Sequence, residues 1–120
     1  MSESSLRGRR VLIVEDDYFM ADELRVALQQ AGADLVGPVG RVSEARDLLE
    51  RDGPIHGAVL DINLAGEMVF DVADSLRARN IPFVFVTGYD AEIIPAAYAT
   101  VRRFEKPIDP PAIGRALFKQ

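Results

Sequence analysis

The chain has 120 residues, of which 48% are hydrophobic and 28% charged, with a formal net charge of −5 and no cysteine. This length suits one domain around a single core. The composition excludes disulfides and thiolate metal sites and speaks against nucleic acid as the main partner, and no apolar run nears the roughly 20 residues of a membrane span.

The N-terminus, Met1 to Arg10, is polar and basic, with no apolar segment behind it long enough for a signal peptide. Met1 to Gly8 reads as a disordered tail, leaving 9–120 as one domain. The absence of cysteine fits a cytoplasmic protein. Short apolar runs then alternate with helical patterns, the signature of βαβ units around a parallel sheet. The first strand is expected from Arg10 to Glu15, over Val11-Leu12-Ile13-Val14. A helix follows, with Met20, Leu24, Ala27, Leu28 and Ala31 on one face and Gly32 just past its end. Asp34 to Val39 is a second strand, and its Gly37-Pro38 step suits a sheet edge. Ser43 is expected to cap a second helix that turns Val42, Ala45, Leu48 and Leu49 inward.

The third strand, Gly57 to Asp61, leads to a helix presenting Val69, Val72, Ala73 and Leu76. A fourth runs from Pro82 to Thr87 and a fifth from Val101 to Glu105. Between these two, Pro95 forbids a regular long helix, because proline lacks an N–H and clashes with the preceding turn. A loop and then a short helix starting near Pro95 are expected. Asp109-Pro110 opens the last helix, with Ile113, Ala116 and Leu117 inward. Right-handed crossovers place helices on both faces of the sheet. The near-continuous apolar strands, the first, third and fourth, belong at its centre, and the second at an edge. The fold class is α/β, a doubly wound five-stranded parallel sheet with a shortened or irregular fourth helix.

Ligands of such sheets bind beyond the carboxyl ends of the strands. Glu15-Asp16-Asp17 ends the first strand, Asp61 the third and Thr87 the fourth, and Lys106 follows the fifth. Clustered carboxylates repel one another, and a hard divalent cation relieves the repulsion. A carboxylate, a hydroxyl and an ammonium around such a cation suit phosphoryl transfer, with Asp61 able to act as nucleophile. His56, the single histidine, precedes the third strand at the opposite end and reads as structural.

Glu15-Asp16-Asp17, Leu60-Asp61-Ile62-Asn63, Val86-Thr87-Gly88 and Glu105-Lys106-Pro107, taken in order, resemble the receiver domain of two-component response regulators. The likeness spans about Arg10 to Lys119. It implies the flavodoxin-like strand order 2-1-3-4-5 and a magnesium cofactor. Asp61 would accept phosphate from a sensor histidine kinase. Glu15, Asp16, Asp61 and the backbone carbonyl of Asn63 would hold the metal. Thr87 and Lys106 would bind phosphoryl oxygens, and Lys106-Pro107 would be a cis peptide. Output would pass to an unknown downstream protein, or arise through competition for kinase phosphate as a sink, from a monomer or weak dimer with neither nucleic acid nor membrane as partner. The chemistry would be limited to the domain's own phosphorylation and dephosphorylation rather than that of an enzyme.

Three departures stand out. Arg103 occupies the place, three before the lysine, where receivers usually carry an aromatic switch residue. The interval from Thr87 to Lys106 is shorter than in ordinary receivers, and Ala65 replaces a frequent proline. Phe83-Val84-Phe85-Val86-Thr87-Gly88-Tyr89 resembles the Phe-Ala-Thr-Gly-Tyr stretch of the atypical "FAT GUY" receivers, often single-domain proteins. This points to the 88–100 segment, with Tyr89, as the part that responds to phosphorylation. Two alternatives stay open: an aspartyl-phosphate phosphatase, which the central position of Asp61 and Asn63 at the plus-two place disfavour, and a receiver fragment of a hybrid kinase.

Overall fold

The computed structural model describes residues 6–51, 53–64, 66–87, 94–105 and 109–118. In chain order they form β1 (Arg10–Val14), α1 (Tyr18–Gln30), β2 (Asp34–Val39), α2 (Val42–Arg51), β3 (Gly57–Asp61), β4 (Asn63–Leu64), β5 (Glu67–Met68), α3 (Phe70–Ala78), β6 (Phe83–Thr87), a 3₁₀ turn (Ala96–Tyr98), β7 (Arg103–Glu105) and α4 (Pro110–Phe118). The main sheet has the order β2-β1-β3-β6-β7, all parallel. Counting only its own strands, this is the expected 2-1-3-4-5.

Alternation along the strands divides the core into two layers. Leu12 and Val14 of β1, Leu60 of β3 and Phe85 of β6 pack with Ala45 and Leu49 of α2 and Val72 and Leu76 of α3. Val11, Ile13, Val59, Val84 and Val86 face the other way, toward Leu24 and Leu28 of α1 and Ile113 and Leu117 of α4. Between their ends the central strands are apolar, Val11–Val14, Ala58–Leu60 and Phe83–Val86, because both of their faces are covered.

β2 is an edge strand, as its glycine and proline foretold. Leu12 pairs with Val36 but Val14 with Val39, so β2 holds one more residue than β1 across this step. The irregularity centres on Gly37, at φ +89, where a Cβ would stand 2.9 Å from the backbone oxygen of Ile13. Only glycine meets both demands. The cis peptide among the described residues is Gly37–Pro38; Lys106-Pro107, where the family resemblance implied one, lies outside them.

Several local expectations need correction. Leu6, assigned to a disordered tail, is 2% exposed. Its N–H donates to the carbonyl of Ala31 over 2.9 Å, and its side chain packs with the α1 and α4 residues. A single apolar residue can therefore tie down a polar segment when a groove between two helices receives it. Ser43 lies inside α2 rather than before it. The hairpin β4–β5, with Asn63 opposite Met68 and Leu64 opposite Glu67, was not anticipated. The fifth main strand is shorter than expected, Arg103–Glu105. Between β6 and β7 the described part holds a 3₁₀ turn directly after Pro95, where a short helix was expected.

Candidate functional site

Parallel strands carry their last residues to one edge of the sheet, and β1, β3 and β6 are adjacent there. Glu15, one residue beyond β1, is 3% exposed, Asp61 7% and Thr87 3%. Asp16 is exposed. Carboxylate oxygens of Glu15, Asp16 and Asp61 all lie within 4.8 Å of one another. Two of three mutually repelling acids are thus buried side by side, which costs free energy unless a positive charge compensates.

Backbone bonds hold these groups in place. The Glu15 N–H donates to the Val39 carbonyl at 2.8 Å, locking the end of β1 to β2. Oε2 of Glu15 accepts the Asp17 N–H at 3.1 Å. Asp17 in turn caps α1, its Oδ1 accepting from the amides of Phe19 at 2.9 Å and Met20 at 3.1 Å. The sequence signal for this cap, an aspartate just before an amphipathic helix, was present but was masked by the acidic cluster around it. Asp61 ends a strand buried at every residue and stands opposite Val86 of β6. Immediately after it, Ile62 donates to the Val86 carbonyl at 3.3 Å and accepts from Val69 N–H at 3.1 Å, closing the β4–β5 hairpin.

Thr87 follows Val86 and stands opposite Glu105 of β7. Asn63 opens β4, two places beyond Asp61. Lys106 lies outside the described residues, as do Gly88 to Glu92 and Ile93 with Tyr89 among them. The structure therefore unites Glu15, Asp16 and Asp61, and puts Thr87 at the end of the adjoining strand. Three carboxylates and no histidine or cysteine form a hard, oxygen-only donor set, which fits magnesium and not a soft metal.

His56 is at the other end of the sheet, its Nδ1 accepting the Arg10 N–H at 2.9 Å. Its amide donates to the Arg10 carbonyl at 2.8 Å, so it ties the entry of β3 to that of β1. Arg103, at the place of the usual aromatic, is exposed. Tyr98 is buried, stacks on Phe70 with ring centroids 5.7 Å apart and meets Phe85 edge-on at 5.9 Å.

No family model matches the chain. A structure of SdrG from Pseudomonas melonis Fr1 in a BeF3-activated conformation is 35% identical, at a TM-score of 0.74, over 98% of this chain and 96% of that one. The sensory transduction protein LytT of Bacillus subtilis is 31% identical over 92% of this chain and 47% of its own length, so the chain spans about half of that relative. The receiver domain of PhyR from Erythrobacter litoralis, at 22% identity and a TM-score of 0.81, shares the fold. Fold, strand-end chemistry and these likenesses agree: the chain belongs to the receiver domains of two-component response regulators.

Proposed function

We propose that Asp61 is the phosphoacceptor, taking a phosphoryl group from a phosphohistidine of a sensor histidine kinase. The observation that carries this reading is the meeting of Glu15, Asp16 and Asp61 oxygens within 4.8 Å at the sheet edge where Thr87 also ends a strand. Glu15, Asp16, Asp61 and the Asn63 carbonyl hold magnesium. When bound, the ion neutralises the acidic cluster and the charge on the phosphoryl oxygens. Asp61 forms the new O–P bond as the N–P bond of the donor breaks, giving an acyl phosphate. Thr87 donates its hydroxyl to one phosphoryl oxygen, and Lys106 offers a point charge to another.

The domain acts on no external substrate beyond its own phosphorylation and dephosphorylation. Its output is the binding of a downstream protein, or competition for kinase phosphate, in a cytoplasmic monomer or weak dimer with no nucleic-acid or membrane partner. No helix among the described residues is long and apolar enough to cross a membrane.

The test is incubation with magnesium and acetyl phosphate, or with a labelled histidine kinase. An acid-stable, alkali-labile phosphoryl group is expected on the wild type and not on Asp61→Asn. Label persisting on Asp61→Asn would mean another acceptor, and turnover of many small phosphate esters would favour a phosphatase.

A further inference from the structure

Gly40, in the turn between β2 and α2, contributes no ligand, yet it lies against the acidic pair. A Cβ placed on it would stand 3.2 Å from both Cα and Cβ of Asp16 and 3.7 Å from the Glu15 carbonyl oxygen. Comfortable carbon–carbon contact is about 3.5–4.0 Å. Unlike Gly37, Gly40 has no positive φ. Its backbone would accept alanine, so what glycine provides here is room beside Asp16 rather than conformational freedom.

The turn has little freedom to move aside. The 2.8 Å bond from Glu15 N–H to the Val39 carbonyl fixes it to β1 just before Gly40. On the other side, the Val42 N–H donates to Oε1 of Glu67 at 3.3 Å, tying the start of α2 to the hairpin that follows Asp61. A methyl group at 40 would therefore be transmitted to Asp16, which is exposed and has space to shift.

We propose that Gly40 is a positioning residue for the acidic pair. The hydrogen that stands in place of a side chain sets how closely the Asp16 carboxylate approaches those of Glu15 and Asp61, and thereby the affinity for a divalent cation. This inference rests on the phosphoacceptor reading above.

The test uses the full chain with Mn²⁺ as the probe, free ion being counted by electron paramagnetic resonance. Gly40→Ala is expected to lower affinity about tenfold, as the loss of an outer-shell support does. Uptake of phosphate from acetyl phosphate should slow at limiting magnesium and recover at saturating magnesium. Gly53→Ala is the control, since among the described residues a Cβ there meets only Arg10 Nη1, at 3.5 Å; it should keep wild-type affinity. Equal Mn²⁺ affinity in Gly40→Ala and wild type overturns the inference and leaves the phosphoacceptor reading standing. Absence of Mn²⁺ binding by the wild type overturns that reading and this inference with it. Should Gly40→Ala not fold in buffer, the same Mn²⁺ titration is read for both proteins in trimethylamine N-oxide, which favours the folded state. Weakened binding by Gly40→Ala supports the inference, and equal binding overturns it.

Discussion

The backbone N–H of Asp17 donates to Oε2 of Glu15 at 3.1 Å, while the side chain of Asp17 caps α1 through Phe19 and Met20. One residue thus orients a buried carboxylate with its main chain and starts a helix with its side chain. Asp17→Ala removes the cap and keeps the main-chain bond. It should cost about 1 kcal/mol in urea unfolding, and Asp17→Asn, which retains an acceptor oxygen, should cost much less. Equal losses in the two variants would place the effect in charge rather than capping.

His56 serves the opposite end of the sheet, roughly 16 Å along β3 from Asp61. His56→Ala leaves the Arg10 N–H without its side-chain acceptor. A loss of about 1–3 kcal/mol is expected, with phosphoryl uptake by the folded protein unchanged. A selective loss of uptake, at equal fraction folded, would contradict the structural role.

Tyr98 is 4% exposed, and its hydroxyl has no hydrogen-bond partner among the described residues. The Arg77 guanidinium lies 4.3 Å from the ring centroid and donates to the Ala97 carbonyl at 2.9 Å. Removing an unsatisfied buried hydroxyl while keeping the ring should stabilise, so Tyr98→Phe is expected to raise stability by about 1 kcal/mol. Tyr98→Ala should lower it by about 3–5 kcal/mol by emptying the aromatic cluster. A destabilised Tyr98→Phe in thermal or urea unfolding would show that the hydroxyl is bonded in solution.

Leu6 gives the sharpest stability test of the domain's N-terminal limit. Leu6→Ala should cost about 2–5 kcal/mol, as for any leucine truncated in a core. A surface position in a tail would move stability by no more than about 0.5 kcal/mol. Urea midpoints separate the two.

The central strands β1, β3 and β6 were legible because each is an apolar run with an acid or hydroxyl residue at its end. Glu15, Asp16 and Asp61 were legible for the same reason: strand termini in a parallel sheet share an edge. Other features depend on tertiary proximity that no local pattern carries. Leu6 is a lone apolar residue in a polar stretch, and nothing around it signals the groove it fills. β4–β5 has strands of two residues, below the length at which alternation can register, although Gly66 with φ +98 marks its turn. Ser43 has the chemistry of a cap, but the first free amide of α2, that of Val42, takes a carboxylate from Glu67, remote in sequence. Gly40 follows a strand without any motif of its own, and its closeness to Asp16 is what gives it meaning.

The extra residue in β2 has a consequence for how this edge strand can change over time. With one residue deleted between Val36 and Val39, Arg41 would arrive in the space that Gly40 now occupies against Asp16. Side chains facing solvent along β2 can be exchanged freely, whereas its length is tied to the loop beside it. Among descendants of this chain, β2 should drift in composition while insertions and deletions collect elsewhere.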